Sequence, residues 1–480
     1  MVNKSVKKYK HIHFIGIKGV AMAALAVMAK QSGIKVTGSD TDEDFPTKEI
    51  LKKFNITPLV GFKKENITGK PDLVVVTGAH YGVNNPEAQA ANKMGLRVLM
   101  HGQALAEFMQ GKKGIAVAGS HGKTTVAAMI AHILAGANLD PSFAIGCGDI
   151  KSLGVPGHAG KGEFFVVEAD EYINDPGQDP TPRFLYLNPQ IAVITNIDYD
   201  HPDAYRNIDE VIQAFQTFAN KVPHSGLLVV GIDDINARRI IPLIKTPVLT
   251  YGFFPLADFK ITRVSFTDKR TWFHLLHQGI DLGQFSLLLP GRVNVLNAAA
   301  ALIVTNYLGI SWEKIRQVLP LFLGTKRRFE AMGEKNRVKF FDDYAHHPTQ
   351  IRSTLEAVRS WYPEARIFCI FQPHTYSRTK ALFNQFSRAF TQADQVIITD
   401  IYASAREEPD PTVNSRLLTN EVGKFHRHTH YFAKIDEIID FIKKETIPGD
   451  VVITMGAGDI YKLYDNLGIK RSDNAIKNKK

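Results

Sequence analysis

Short apolar runs rich in β-branched residues alternate with helix-length stretches along almost the whole chain. This alternation is the strongest constraint on its fold. Strands separated by helices pair in parallel, and parallel sheets need helices on both faces. The pattern predicts strands at 11–15, 35–39, 72–77 and 97–100, with a turn at 16–19 and a helix at 21–31. A second set opens with a strand at 115–118 and a helix at 124–134, then continues through strands at 164–167 and 191–195. A third has strands at 338–341, 367–371, 395–399 and 451–454. Between 259 and 289 apolar and polar residues alternate, which marks an antiparallel add-on, and Pro290-Gly291 turns into an Ala-rich helix at 295–308. The fold class is α/β, in three domains at 1–111, 112–324 and 325–480, with breaks at Gly111-Lys112-Lys113-Gly114 and near Gly324.

Composition narrows the class. With 480 residues the chain exceeds one ordinary core, and 44% apolar with 22% charged residues suits a soluble globular protein. No apolar run approaches the roughly 20 residues of a membrane span, so membrane insertion is not expected. The basic start, 1–10, precedes an apolar segment broken by His11, His13 and Lys18, unlike a signal peptide. Only Cys147 and Cys369 are present, which fits a reducing, cytoplasmic setting. The formal charge of +10, helped by the basic tail 470–480, serves solubility or attracts anions such as nucleotides and phosphorylated sugars. No basic block interleaved with aromatics points to nucleic acid.

The sharpest local signal is Gly119-Ser120-His121-Gly122-Lys123-Thr124-Thr125, between an apolar strand and an apolar-periodic helix. Backbone N–H groups and the helix dipole there face an anion, Lys123 neutralises phosphate, and Thr124 offers a hydroxyl to Mg²⁺. A standard phosphate loop has a further glycine where Val117 stands, so this is a shortened version with Gly119 supplying the freedom. Val166-Val167-Glu168-Ala169-Asp170-Glu171 and Asn196-Ile197-Asp198-Tyr199-Asp200-His201 place carboxylates at strand ends, where open α/β sheets bind ligands. One or two carboxylates suit Mg²⁺, whereas His201 is too soft a ligand to be assigned to it by chemistry alone.

Further along, Asn294 and Asn297 follow the Pro290-Gly291 turn, and Asn294 also fits a helix N-cap. Lys326-Arg327-Arg328-Phe329 either neutralises a transferring phosphoryl group or is a solvated linker. Three strand ends in the last domain are loaded: Asp342-Asp343-Tyr344-Ala345-His346-His347-Pro348-Thr349, Gln372-Pro373-His374-Thr375-Tyr376-Ser377-Arg378-Thr379, and Asp400-Ile401-Tyr402-Ala403-Ser404-Ala405-Arg406-Glu407. In the first domain Gly16-Ile17-Lys18-Gly19 is an incomplete dinucleotide fingerprint, and Gly38-Ser39-Asp40 ends the next strand.

The loop 119–125 resembles the ATP site of the Mur ligases and the related folylpolyglutamate synthetases. The Glu-Ala-Asp-Glu and Asn-Ile-(x)₂-Asp-His segments, Asn294 and Asn297, Arg-Arg-Phe at 327–329, the three loaded strand ends and Gly456-Ala457-Gly458-Asp459-Ile460 resemble Mur ligase motifs too, so the likeness runs from Ile12 to about Ile460. It implies a UDP-sugar-binding Rossmann-like domain, a central phosphate-loop ATPase domain and a Rossmann-like amino-acid domain. It implies ATP-dependent ligation of L-alanine to the lactyl carboxylate of UDP-N-acetylmuramate through an acyl phosphate, by a monomer or homodimer. Lys123, Glu168, His201, Arg327, His347 and Arg378 become the catalytic set. Thr124, Glu168 and His201 hold Mg²⁺. Gly119, Ser120, His121, Gly122, Thr125, Asn196, Asn294, Asn297, Arg328 and Asp343 face ATP. Gly16, Lys18, Gly19, Ser39 and Asp40 take the UDP-sugar, and Tyr344, His347 and Arg378 surround L-alanine. Where the family has glycine, Lys18 adds a cation beside the diphosphate; Val293 replaces a family histidine, and Thr375 stands where some members carry arginine.

Two rivals remain open. The run from Glu168 to Pro189 resembles the spacing of a recycling ligase that joins a ready-made tripeptide to UDP-N-acetylmuramate, although the Gln-Pro-His segment opposes that reading. A non-catalytic nucleotide-binding or nucleic-acid-associated protein would explain the loop and the charge, but not the loaded strand ends.

Overall fold

The computed structural model describes residues 8–403 and 407–469. The basic terminal segments, and Ser404, Ala405 and Arg406 of the third loaded strand end, lie outside these residues.

Three large sheets and a two-stranded one are formed by the described residues. The first has five parallel strands, ordered Leu59–Val60, Lys35–Asp40, His11–Ile15, Leu73–Val76, Val98–Met100. Ile12, Phe14, Leu73 and Val75 are fully buried, as expected for strands covered on both faces. The second sheet has ten strands, and the three that matter most are neighbours and parallel: Ile191–Ile194, Lys113–Ala118 and Phe164–Glu168. At its far edge Phe259–Thr267, Arg270–His277 and Ile280–Leu287 form the expected add-on. Their connections are two residues long, with left-handed φ at Asp268, Lys269, Gln278 and Gly279, the geometry of tight hairpins. The third sheet has six strands, ordered Glu330–Lys335, Val338–Asp343, Val451–Met455, Ile367–Phe371, Gln395–Ile398, Thr429–Tyr431; only the first is antiparallel.

The α/β reading holds for all three sheets. The chain forms two compact units: one up to Ser265 with Trp272–Leu288 and Asn294–Lys326, the other from Arg327 onward with Phe266–Thr271 and Leu289–Val293. The first two sheets therefore share a unit. The segment at 111–114 is no loose linker. Lys112 donates its ammonium to Ser142 Oγ (2.8 Å) and to the carbonyls of Gly160 (2.6 Å) and Gly162 (2.7 Å), and Lys113 already begins a strand. Lys326 is tied within the first unit, its N–H to Asp149 O and its ammonium to Pro46 O, while Arg327 opens the second.

Helix Lys123–Gly136 is buried from Thr124 to Leu134, so it is apolar all round rather than striped. Its Gly136 is required by space, since a Cβ there would stand 2.4 Å from Val318 Cγ1. No helix of the described residues is long and apolar enough to cross a membrane.

Candidate active site

The carboxyl ends of the three neighbouring central strands converge on the loop at 119–125. Gly119 has φ +135°, and a Cβ on it would lie 1.9 Å from Thr195 Oγ1; Gly122, at φ +87°, faces Asn297 in the same way, 2.5 Å from its Oδ1. Glycine is needed at both places because the backbone is left-handed and the neighbours are in contact. The next strand end holds the loop in shape. Ser120 N–H donates to Asn196 O (3.1 Å), His121 N–H to Asn196 Oδ1 (2.9 Å), and Asn196 Nδ2 to His121 O (2.9 Å). Thr195 Oγ1 adds a bond to His121 O at 2.6 Å, and Ser120 Oγ accepts from Asp198 N–H at 2.8 Å. Asn196 is thus a clamp on the loop backbone as well as a neighbour of the expected phosphates.

Lys123 folds back over this loop, donating to Gly119 O at 2.6 Å and to Glu171 at 2.7 Å. Burial opposes its charge, but Glu171, Asp170 and Glu168 outweigh it and hold the ammonium above its ordinary range. Glu171 is 1% exposed, and sequence reasoning quoted it without giving it a role. The signal lay in the Glu-Ala-Asp-Glu run itself. Thr124 Oγ1 donates to Glu168 at 2.8 Å, and the other Glu168 oxygen accepts from Gly146 N–H at 2.9 Å. A hydroxyl and a carboxylate side by side are the hard oxygen donors a Mg²⁺ ion takes. His201 lies 3.8 Å from Glu171 and 3.9 Å from Asp200, and ligand atoms of the three fall within 4.8 Å of one another. Thr124 and Glu168 together therefore offer a divalent ion two oxygen donors, while His201 stands with Glu171 and Asp200.

Helix Arg292–Tyr307 begins earlier than expected, so Asn294 is inside the first turn and not the N-cap. Its Oδ1 accepts from Asn297 Nδ2 at 3.3 Å, and Asn297 packs on Gly122.

In the first sheet, Gly16 at φ +80° packs on Thr77, where a Cβ would stand 2.5 Å from Cγ2. Gly19 ends this turn and flanks helix Val20–Gln31. Ser39 and Asp40 are buried, at 0% and 1% exposure. Ser39 donates to Glu87 (2.6 Å), which also takes Asn66 Nδ2 (2.6 Å) and His13 Nε2 (3.0 Å). Asp40 accepts the N–H groups of Lys18 (2.7 Å) and Thr41 (2.8 Å); burial raises its pKa against those bonds. The Lys18 ammonium donates to the carbonyls of Thr41 (2.6 Å) and Glu43 (2.8 Å), so it braces the loop after Asp40.

The third sheet brings its loaded strand ends together, and Arg327 joins two of them. It is 5% exposed, and Nε, Nη1 and Nη2 donate to Asp342 (2.9 Å), Gly458 O (2.9 Å) and Gly456 O (2.7 Å). Burial weakens the charge, yet the paired Asp342 keeps it above the usual guanidinium range. Arg327 is a brace joining two strand ends. Its neighbour Arg328 lies over the Tyr344 ring, 5.0 Å from the centroid. Asp343 accepts Phe329 N–H (2.7 Å) and Ala345 N–H (2.8 Å), and burial raises its pKa despite Arg328. His347 caps helix Pro348–Trp361, its Nδ1 accepting Thr349 N–H at 3.3 Å. Arg378 is 4% exposed and donates to His374 O at 2.6 Å. Thr375 Oγ1 meets Ser377 Oγ at 2.9 Å.

A shortened phosphate loop with its lysine, an acid beside the loop threonine, and two further sheets define a phosphate-loop enzyme of multi-sheet α/β architecture. The chain belongs to the Mur ligase family: residues 11–113 match its catalytic domain, 117–305 its middle domain, and 327–458 its glutamate ligase domain. It is 40% identical to the UDP-N-acetylmuramate–L-alanine ligase of Desulfitobacterium hafniense over 95% of this chain and 99% of that one. The enzyme of the same name from Caldanaerobacter subterraneus is 41% identical, over 95% and 97% of the two chains. Among solved structures, the UDP-N-acetylmuramate-alanine ligase of Thermotoga maritima superimposes with TM-score 0.80 at 26% identity, over 96% of this chain and 98% of that one. A murein peptide ligase from Psychrobacter arcticus gives TM-score 0.72 at 25% identity, over 95% and 98%.

Proposed function

We propose that this chain joins L-alanine to the lactyl carboxylate of UDP-N-acetylmuramate, converting ATP to ADP and phosphate, as a step in building peptidoglycan precursors. The observation that carries this reading is the cluster of loop 119–125, Lys123, Thr124 and Glu168 at adjoining strand ends, on a chain whose full-length relatives carry that name.

ATP phosphates lie against the N–H groups of 119–125 and the start of helix Lys123–Gly136, with Asn294 and Asn297 toward the nucleoside. Lys123 carries positive charge to the transferring phosphoryl group. Thr124, Glu168 and His201 would hold Mg²⁺, which supplies charge neutralisation on the phosphate oxygens. A lactyl carboxylate oxygen attacks the γ-phosphorus as the bond to ADP breaks, giving an acyl phosphate. The alanine amine then adds to its carbonyl carbon and gives a proton to solvent, and the C–O bond breaks as phosphate departs with its electron pair. Gly16 and Gly19 in the first domain allow close approach of the UDP-sugar, while Ser39 and Asp40 shape that turn from beneath. Tyr344, His347 and Arg378 take L-alanine, and Arg328, which lies over the Tyr344 ring, adds positive charge for phosphate.

The test is ADP release with UDP-N-acetylmuramate and a panel of L-alanine, L-serine, glycine and L-Ala-D-Glu-meso-diaminopimelate. Dependence on L-alanine with product of the matching mass is expected. Turnover with the tripeptide alone would hand the chain to the recycling reaction, which the run between Glu168 and Pro189 favours. ATP turnover indifferent to the sugar would end both readings.

A further inference from the structure

The run after Glu168 is an excursion from the central sheet. Strands Ile173–Asp175 and Asp179–Pro182 pair antiparallel, and a short helical turn, Arg183–Tyr186, leads back. The excursion lies against the segments that follow two strands of the first sheet. Asp175 accepts Val83 N–H at 2.9 Å and Asn174 Oδ1 accepts Gly102 N–H at 3.3 Å. Glycines make the room. A Cβ on Gly78 would lie 2.5 Å from Asn174 O, on Gly82 2.3 Å from Asp175 Oδ2, and on Gly102 3.0 Å from Asn174 Oδ1.

This docking fixes Arg183 at a particular place. Its Nη1 donates to Asp170 at 2.8 Å, its Nη2 lies 3.0 Å from where a Gly78 Cβ would stand, and its guanidinium lies over the Tyr172 ring at 5.5 Å. Asp170 is shared: Arg183 first, then Lys123 and His201, overcome its burial and hold its pKa well down. On the other side stands His101, at the start of helix His101–Met109, kept neutral by burial and by the Arg183 charge. Arg183 is therefore the cation standing between the carboxyl ends of the first sheet and the loop that carries Lys123. Open α/β sheets bind ligands at those ends.

Charge supports the same conclusion. Lys123 faces three carboxylates, Glu168, Asp170 and Glu171. An incoming carboxylate needs a further positive group there, and a guanidinium offers five donors in a fork that matches carboxylate geometry. We propose that Arg183 binds the carboxylate of the sugar acid and holds it toward the phosphoryl group on loop 119–125. The inference rests on the reading above and adds a substrate-binding residue to it. Arg183 donates to the carboxylate oxygen that does not attack phosphorus, which becomes the carbonyl oxygen of the acyl phosphate. The attacking oxygen forms the new P–O bond as the bond to ADP breaks.

The experiment uses the full chain as wild type, R183Q and R183K, with two ligands: UDP-N-acetylmuramate, and UDP-N-acetylglucosamine, which lacks the lactyl acid. For R183Q we expect KM for UDP-N-acetylmuramate to rise at least tenfold and kcat to fall, with KM for ATP within twofold of wild type. Affinity for UDP-N-acetylglucosamine should stay unchanged, and added guanidinium should restore part of the rate. R183K should lie between wild type and R183Q, and it decides the matter should R183Q not fold. Equal weakening of both sugar nucleotides, or wild-type kinetics in the variants, would overturn the inference and leave Arg183 as a tether of the excursion. Wild-type protein releasing no ADP with UDP-N-acetylmuramate would instead bring down the parent reading, and this one with it.

Discussion

The strand ends of the central sheet and those of the third sheet look alike in sequence, each crowded with acids, histidines and cations. They use those groups differently. At the central sheet, backbone and hydroxyl groups hold the loop, and the charged groups Lys123, Glu168, Asp170 and Glu171 are gathered around it. At the third sheet the charged groups are themselves the fasteners. Arg327 links Asp342 to the Gly456 and Gly458 carbonyls, and Thr454 Oγ1 donates to Asp342 from the adjoining strand at 2.7 Å. The charged groups thus play different parts: Arg327 fastens neighbouring strand ends of the third sheet together, while Lys123 folds over a loop that its neighbours already hold.

The largest effect expected from this contrast is at Lys123. K123A should reduce ADP release about a thousandfold or more, the scale of losing one or more strong transition-state donors. Steady-state rates at saturating ATP check this. Near-normal turnover would remove the difference between the two sheets from the chemistry altogether.

Arg327 sharpens the comparison from the other side. R327M leaves the fully buried Asp342 without its cation, so unfolding should become easier by about 3–5 kcal/mol. R328M removes the cation over Tyr344 and near buried Asp343, so it should cost less stability than R327M while lowering kcat. Urea unfolding and initial rates on both variants separate the roles; a stable R327M with lost turnover would make Arg327 catalytic after all.

Much of this was legible beforehand. The strand–loop–helix order at 115–134, Gly119, Lys123, Thr124 and Glu168 follow from local pattern, because a phosphate cradle is built from consecutive residues. The neighbours of a charged side chain are not local. Arg327 donates to Gly458, 131 positions away, and Lys123 pairs with Glu171 across 48, so neither use could be read from spacing. Short or polar edge strands escaped for a different reason. Leu59–Val60 is exposed and Glu330–Lys335 is mostly polar, and an edge strand needs no continuous apolar run. Leu227–Gly231 is fully buried and apolar, so its signal was present in the sequence and went unused.

A third test asks how dry the region beside the central cluster is. Burial first, and then the Arg183 charge, lower the pKa of His101 to about 4, from about 6.5 in an unfolded chain. The folded state holds the neutral ring, while the unfolded chain takes up a proton below about pH 6.5. The stabilisation is therefore complete above that pH and is lost as pH falls toward 4, by up to about 3 kcal/mol. Wild type and H101Q compared by urea unfolding at pH 7 and pH 4.5 isolate this share. An identical pH slope in both would mean that water reaches the ring.

The smallest effect expected is at Lys18, and it carries the contrast into the first sheet. Its ammonium is engaged by the Thr41 and Glu43 carbonyls, as Arg327 is by Gly456 and Gly458. A brace of this kind shapes a loop with most of its N–H donors, and its remaining pull on the ligand is long-range and weak. K18M should therefore change KM for UDP-N-acetylmuramate by less than about threefold, with the salt dependence of KM preserved, because a screened attraction was not being used. Initial rates from low to high ionic strength decide it. A rise of tenfold or more that fades with added salt would put Lys18 beside the diphosphate, and the first sheet would then resemble the central one, where charged groups gather around the loop.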